Sequence, residues 1–204
     1  LEVPADPAGA ELPGTPAVMV RPGLAPALNE AARDLGLEVR ALFADAGDAE
    51  LIGRAVPAAH GWFEALNAAA FDAGVLVRVP RGQIVEQPLR LVFPAQPANN
   101  LLPRLLVVAE DGSALTVVED HVGGGDGAVV VGVSEIMAGA NAQVRHVLVQ
   151  RWESGTVGHL TQRSLTGRDG RFLGATAGFG GDVVKVDLGG VLTGPGARSE
   201  MVGV

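Results

Sequence analysis

The sequence predicts a mainly β protein, a parallel β-solenoid (β-helix) preceded by a small α/β region. Beyond residue 75 the helix formers thin out, and short Val, Leu and Ile runs recur between Gly, Asp and Pro turns. A turn, a small residue and an alternating strand then repeat. Alignment on the small residues Ser113, Ala142, Gly170 and Ala197 gives spacings of 29, 28 and 27 residues. A unit of strands and turns with this period matches one coil of a solenoid, which buries its inward face by stacking on the next coil.

A second set of strands fills the other half of each coil. These are AVVVGVSEI, GHLTQRS and DVVKVDLGGVL, which begin at residues 128, 158 and 182. We therefore assign the β-helix to residues 76–204. Because the final stretch SEMVGV has no cap, we expect a fragment that is truncated at the C-terminal end of the β-helix. Such an end exposes a strand edge, and we expect it to associate or aggregate on its own.

The first 75 residues show a different pattern. Residues 1–16 hold four Pro and two Gly with little periodicity, which predicts a disordered leader. Residues 17–75 are predicted to form a small α/β region. Its predicted elements are a strand at 17–23, a helix at 26–36 that stops at Gly36, a strand at 37–43, and helices at 48–56 and 60–74. The last helix carries apolar residues on one face, namely Trp62, Phe63, Leu66, Ala69 and Ala70.

Composition excludes several classes of function. The net charge is −8, and the 15 basic residues, of which only Lys185 is a lysine, are scattered, so no face for nucleic acid is evident. The absence of cysteine excludes disulfides, thiolate metal sites and a cysteine nucleophile within this chain. No apolar run reaches the roughly 20 residues of a membrane span, and no secretion signal is evident at the start. We expect a cytoplasmic protein that binds neither membrane nor nucleic acid.

No local motif predicts catalysis or metal binding. The run GGGDGAVVVG at 123–132 fits the spacing G-x-G-x-x-A, but the β-branched residues that follow predict a turn between strands, not the helix that a dinucleotide site needs. The four histidines, at 60, 121, 146 and 159, lack the spacing of a metal motif. The acidic pairs at 110–111 and 119–120 bracket a strand, and we expect both to be solvated at turns. We therefore predict no catalytic and no metal-binding residue.

The stretch NAQVRHVLVQRW at 141–152 concentrates polar groups in one predicted strand. Because side chains alternate between the faces of a strand, its residues divide into two sets. The set that begins at the repeating small residue is assigned inward, and the other faces solvent or a partner. The inward set is Ala142, Val144, His146, Leu148 and Gln150, and the outward set is Gln143, Arg145, Val147, Val149 and Arg151.

The order of several segments resembles the SufB/SufD family of iron–sulfur cluster assembly proteins over roughly residues 60–204. The segments are FEALNAAAFDAGVLVRVPRGQIVEQPLRLVF, PRLLVVAEDGSALTVVED, SEIMAGANAQVRHVLVQRW, GRDGRFLGATAGFGGD and DLGGVLTGPGARSEMVGV. The resemblance implies a right-handed parallel β-helix. Family members are about twice as long, so the chain resembles an N-terminal half.

Within the family, EQPLRLVF and the lack of cysteine resemble SufD more than SufB. A SufD-like identity implies a non-catalytic scaffold that pairs with SufB, while the ATPase SufC binds the helical C-terminal part of each. It also implies a transient iron–sulfur cluster and reduced flavin in the complete complex, with neither bound by this fragment alone.

Two positions match a family motif. The Q-x-W of SufB-type sequences, which lies on a strand lining the interior route proposed for sulfur transfer, is matched by Gln150 and Trp152. The structural alternative is that Gln150 satisfies backbone groups at a corner and Trp152 caps the apolar layer. Two other identities stay open, a SufB-type subunit and a β-helix polysaccharide lyase or hydrolase.

Overall fold

The computed structural model describes residues 14–204 and contains a β-solenoid of about five turns, which confirms the predicted fold class. The predicted leader lies outside the described residues except for positions 14–16. The strands are β1 (Ala17–Met19), β2 (Ala27–Leu28), β3 (Glu38–Ala41), β4 (Ala73–Val79), β5 (Leu89–Ala95), β6 (Asn100–Leu101), β7 (Pro103–Ala109), β8 (Ala114–Gly124), β9 (Val129–Ala138), β10 (Gln143–Glu153), β11 (Val157–Thr166), β12 (Arg171–Gly178), β13 (Val183–Leu192) and β14 (Arg198–Gly203).

The strands form two sheets that enclose a common interior. Sheet A has the order β14-β12-β10-β8-β5-β1-β2, and sheet B has the order β13-β11-β9-β7-β4-β3, with β6 also paired to β9. From β4 onward, consecutive long strands alternate between the sheets. These strands pair with one another only in parallel, whereas β3 pairs with β4 in antiparallel fashion. The division into two regions, 17–75 and 76–204, stays a prediction. Strands of the first region pair with strands of the second in both sheets, so the two regions share their sheets.

The ladder register reproduces the sequence repeat. The residues that follow Ser113, Ala142, Gly170 and Ala197 lie side by side on β8, β10, β12 and β14. Space favours small residues here, because a Cβ on Gly170 would lie 3.0 Å from the backbone oxygen of Gly139 in the preceding coil and 3.0 Å from that of Gly167 in the same turn. The repeat is therefore the register of the solenoid itself.

Aliphatic side chains fill most of the space between the sheets. Residues in register on successive coils, such as Leu115, Val144 and Phe172, form continuous inward stacks. Each buried side chain of this size contributes roughly 1.5–3 kcal/mol relative to exposure. Phe93, Trp152 and Phe172 are the large aromatic exceptions, and all three are buried within this core.

The helices of the described residues are short and lie near the N-terminal end. They are α1 (Glu30–Arg33), α2 (Trp62–Ala70) and 3-10 helices at Ala46–Glu50 and Ala58–His60. The predicted helix at 26–36 is reduced to α1, which the Asn29 side chain caps by accepting from the Ala32 N–H at 2.9 Å. Among residues 14–204 no helix is long and apolar enough to span a membrane.

The helix predicted at 48–56 is wrong beyond its first residues. After the 3-10 helix the chain turns, and the backbone N–H groups of Gly53, Ala55 and Val56 donate to the carboxylate of Glu135 at 2.9–3.0 Å. Gly53 has φ +83°, a left-handed conformation that interrupts a helix. A distant carboxylate thus replaces the helical acceptors of this segment.

The α/β segments cover the outer face of sheet B. An apolar cluster of Leu42, Leu76, Leu106 and Met137 joins them to β4, β7 and β9. An amphipathic helix ordinarily buries its apolar face. In α2, however, the buried side chains are Glu64 and Asn67, while Trp62 is 92% exposed, and Phe63 and Leu66 are about half exposed.

A buried polar seam explains why α2 packs with its polar side. The Asn67 amide donates to the carbonyl oxygens of Pro103 and Val131 at 2.9 and 2.8 Å, and its oxygen accepts from Arg104 at 3.0 Å. Arg104 also pairs with Glu135 at 2.5 Å, and the side chains are 1% and 0% exposed. The pair therefore connects sheet B to both the 53–56 turn and α2.

Replacing Arg104 tests this connection. We expect Arg104→Met to lower the free energy of unfolding by about 3–5 kcal/mol, because the Glu135 charge stays buried without its partner. Urea denaturation measures the change. The same substitution at Arg198, which is exposed on β14, should change stability by less than about 0.5 kcal/mol. Equal losses in both variants would contradict a structural role of the pair.

Candidate functional site

β10 carries its polar side chains on opposite faces. The alternation confirms the register expected from the sequence and also places Trp152 inward. The inward residues Ala142, Val144, His146, Leu148, Gln150 and Trp152 are buried, whereas Gln143 and Arg145 are exposed and Val147, Val149 and Arg151 are half-buried.

A buried carboxylate, Glu119, is the polar centre of the interior. It accepts hydrogen bonds from the Nε2 atoms of His121 and His146, each at 2.8 Å, and from the Ser134 hydroxyl at 2.7 and 2.8 Å. His121 lies two residues along β8, His146 belongs to the next coil, and Ser134 reaches across from sheet B. These four residues, the Glu119 cluster, are all at least 98% buried and join two coils and two sheets.

The hydrogen bonds determine the charge of the cluster. Burial by itself raises the pKa of Glu119, but hydrogen bonds and charge interactions with His121 and His146 lower that pKa well below its usual value. An ionised carboxylate only accepts hydrogen bonds, so both Nε2 atoms carry hydrogen. The other ring nitrogen of His121, Nδ1, is buried and has no partner among the described residues.

The expectation that the acidic pair at 119–120 is solvated at a turn is wrong. Strand β8 continues to Gly124, so both residues lie within the strand and are buried. Glu119 points inward. Asp120 points outward, where Arg90 and Arg151 donate to its carboxylate at 2.5 and 2.8 Å. The pair at 110–111 does lie at the preceding turn and is half-buried.

Sequence reasoning missed the Glu119 cluster, although one signal for it was available. The alternation that starts at the repeating small residue Ser113 assigns every second residue of β8 inward, and this parity includes Glu119 and His121. The same repeat could not have identified Ser134, because the contact of Ser134 with Glu119 depends on how sheets A and B face each other.

The two positions that match a family motif lie inside the solenoid. The side-chain oxygen of Gln150 accepts from the Phe179 N–H, and its amide donates to the Gly180 carbonyl, both at 3.1 Å. The Trp152 ring meets the His121 ring edge-on, with centroids 5.9 Å apart. These contacts give Gln150 a structural role at the turn after β12. A role of either residue in sulfur transfer stays a prediction.

Polar atoms without partners extend beyond the Glu119 cluster. An unpaired buried polar group costs about 1–3 kcal/mol, and such groups normally bind ordered water or a ligand. The side chains offer N–H and O–H donors and one imidazole nitrogen, so they suit a small polar guest. Within the described residues these buried interior atoms are His121 Nδ1, Trp152 Nε1, Gln162 Nε2, Ser164 Oγ, Thr166 Oγ1 and Ser199 Oγ.

A second polar group lies outside sheet B, beside α2. His60, Glu64 and Asp187 bring three ligand atoms within 4.8 Å of one another, a spacing that can suit a metal ion. Arg163, however, lies 3.0 Å from His60 Nε2 and 2.9 Å from Asp187. Burial raises the pKa of Asp187, but Arg163 and then His60 lower it below its usual value. The guanidinium already supplies the positive charge, which disfavours a cation here.

The glycine run forms the turn between β8 and β9, as predicted. Gly123, Gly124, Gly125 and Gly127 all have positive φ, and strand β9 follows at once. The backbone N–H of Gly125 donates to the Thr156 hydroxyl at 2.8 Å. This geometry lacks the helix N-terminus that holds a pyrophosphate.

Comparison with known proteins points to one family. A family model described as SUF system FeS cluster assembly, SufBD core domain, matches residues 93–204. The chain is 26% identical over 152 residues to a SufBD family protein of Staphylococcus saprophyticus, and 25% identical over 158 residues to one of Staphylococcus epidermidis, both described as iron–sulfur cluster assembly proteins. These alignments cover 73% and 76% of this chain, but 33% and 34% of the relatives. The chain thus spans about a third of their length.

Glu119→Gln tests the electrostatics of the interior. Because folding lowers the pKa of Glu119 from 4.5, its ionised form stabilises the fold above pH 4.5, and this stabilisation is lost as the pH falls below that value. We expect the variant to lose at least about 2 kcal/mol at pH 7 and the difference from wild type to shrink below pH 4.5. Urea denaturation across pH measures it. Glu200→Gln, at an exposed site, is the control, and a difference that does not change with pH would contradict the assignment.

Gly158→Ala tests the seat of Trp152. A Cβ at residue 158 would overlap the Trp152 ring, so we expect a loss of about 1–3 kcal/mol from overpacking. In Gly203→Ala the new methyl lies 3.7 Å from the nearest atom, a backbone oxygen, and stability should hold. Acrylamide quenching in a Trp62→Phe background reports Trp152 alone, and quenching should rise in Gly158→Ala. Unchanged quenching and stability would show that the ring is not confined there.

Proposed function

The chain belongs to the SufBD family of iron–sulfur cluster assembly proteins, and we propose that it is a SufD-like, non-catalytic scaffold subunit. In this proposal it acts in the cytoplasm with a SufB-like subunit and a SufC-like ATPase. The nascent iron–sulfur cluster is the cargo of the complete assembly. One observation on the family core of this chain carries the proposal. Its central polar groups bind one another, and it contains no thiolate.

The chemistry of cluster binding supports this assignment. Protein thiolates hold most iron–sulfur clusters, and none of the 204 residues is cysteine. At the centre of the interior stands Glu119, whose two oxygens are occupied by hydrogen bonds from His121, His146 and Ser134. A carboxylate held in this way stabilises the coil stack and is not free to accept sulfur or iron. In the proposal a partner subunit supplies the ligands.

The glycine run does not fit the phosphate groups of a flavin nucleotide. The glycine run leads into strand β9, not into a helix that could hold a pyrophosphate. We therefore assign reduced flavin, like the cluster, to the complete complex and derive no step through either on this chain.

A SufB-type subunit is the alternative within the family. It is favoured by the inward positions of Gln150 and Trp152 and by the unpaired polar atoms near them, Trp152 Nε1 among these. Such an interior suits the passage of a small polar sulfur species along the solenoid. The lack of cysteine within these 204 residues weighs against this alternative, because this stretch supplies no thiolate as donor or acceptor of sulfur.

The described residues give little support to a polysaccharide lyase or hydrolase. General acid–base catalysis needs carboxylates that face a common open cleft. The carboxylates of Glu64, Glu119, Asp120 and Glu135 are buried, and each is engaged by hydrogen-bond donors of this chain. They are therefore unavailable to a bulky sugar.

Co-purification tests the scaffold proposal. We expect the full-length protein, expressed at its native level with an affinity tag, to retain a SufB-like and a SufC-like protein through gel filtration. Mass spectrometry identifies the partners. Recovery of neither would refute the proposal. Recovery of a SufC-like protein with a SufD-like partner would instead indicate the SufB-type identity.

Substitution of Gln150 separates a structural role from transfer. In a SufD-like scaffold we expect Gln150→Leu to lower the free energy of unfolding by about 1–3 kcal/mol, because the Gly180 carbonyl loses its partner, while the Phe179 N–H keeps the Gln150 backbone oxygen. Cluster assembly by the purified complex should fall only in proportion to the folded protein. Gln143→Leu, at an exposed site on the same strand, is the control. Loss of assembly activity at unchanged stability would favour the SufB-type identity.

A further inference from the structure

Three arginines lie together on the outer face of sheet A. Arg171 on β12 and Arg198 on β14 are direct neighbours in the ladder. Arg145 lies on the same face of β10, diagonally across from Arg171. All three are exposed. We call these residues the arginine patch.

The arginine patch is not neutralised by the described part of the chain. Like charges on directly opposed residues of neighbouring strands destabilise a sheet, and none of the three guanidinium groups forms a hydrogen bond or ion pair with residues 14–204. Elsewhere on the same face a carboxylate compensates such charges, because Asp120 lies between Arg90 and Arg151 and pairs with both. Residues 14–204 therefore leave the arginine patch open to an anionic ligand.

The shape and chemistry around the patch restrict that molecule. A cavity of about 200 Å³ lies over the patch, with Leu173 and Glu200 among its lining residues. Leu173 is 39% exposed and lies in register between Arg145 and Glu200. The surface therefore offers cations, one apolar side chain at its centre and one carboxylate at its border.

We propose that the arginine patch docks an extended acidic segment of a partner protein, with carboxylates at alternate positions. Neighbouring rows of the patch are two residues apart along the strands, or roughly 6.7 Å, which matches alternate side chains of an extended peptide. One carboxylate binds between Arg171 and Arg198, the next on the same face binds Arg145, and the methylene groups of that second side chain contact Leu173. Arginine suits this role because its planar fork binds carboxylates in bidentate geometry.

Charge complementarity favours such a segment over phosphates or nucleic acid. Glu200 borders the cavity and repels a polyphosphate or a nucleic acid backbone, whose phosphates offer no donor to pair with it. A peptide tolerates Glu200, because its backbone N–H groups or a basic side chain can pair with it. Leu173 likewise contributes to binding a peptide but not to binding an inorganic anion.

Fluorescence anisotropy of the full-length protein tests the proposal. The probe is a fluorescein-labelled peptide with Glu at alternate positions, and its binding should weaken as salt rises. We expect Arg171→Gln combined with Arg198→Gln to weaken binding at least about fivefold. Arg54→Gln, which removes an exposed arginine far along the chain from the patch, should leave it unchanged. Leu173→Ser should also weaken binding.

Competition and stability controls decide between explanations. The thermal midpoint of the double variant should not fall, since the substitutions relieve like-charge repulsion. Inorganic phosphate and a single-stranded oligonucleotide should not displace the probe at matched ionic strength, and a peptide with Lys for Glu should not bind. Displacement by phosphate, tighter binding of the oligonucleotide, equal loss in Arg54→Gln, or no saturable binding of the acidic peptide would each overturn the proposal.

Discussion

The structure depends on the register of parallel strands from coil to coil. A shift of one residue would exchange every inward side chain for its outward neighbour. Each coil of 27–29 residues must therefore place its inward residues in line with those of the coil before it. Ser113, Ala142 and Gly170 mark the start of each inward set and leave room for the adjoining turns. Once this register is set, the aliphatic stacks, the position of Gln150 and the Glu119 cluster all follow.

Charged groups are buried on both sides of the sheets, and in each case a network compensates them. Inside, Glu119 is held by two histidines and a serine from three strands. Outside sheet B, Glu135 is held by Arg104 and three backbone N–H groups. Burial of an unpaired charge is far more costly than burial of a satisfied one, so these networks specify how the layers fit together. The polar packing side of α2 is a consequence of the second network.

Membership of the SufBD family gives the interior a functional context. The family core spans 93–204 and includes β8 to β14 with the whole Glu119 cluster. In this chain the Glu119 cluster binds within itself and Gln150 binds the backbone, which suits the proposed scaffold role. The arginine patch lies on the opposite, outward face of the same sheet. A rigid coil stack can thus keep its interior closed while its surface selects partners.

The sequence by itself determined the fold class, the coil period and the inward set of β10, because strand alternation and stacking are local or periodic properties that leave a pattern in the residues. Tertiary structure alone decided which polar groups meet. Ser134 reaches Glu119 across the two sheets, and Glu135 replaces the helical acceptors of residues 53–56, 79 to 82 residues away. The tertiary structure also buries Glu64 and Asn67 and leaves Trp62 exposed, whereas the amphipathic pattern of α2 predicts the reverse. The physical reason is that a buried polar group is stabilised by its specific partner, and the identity of that partner depends on how distant segments approach in space.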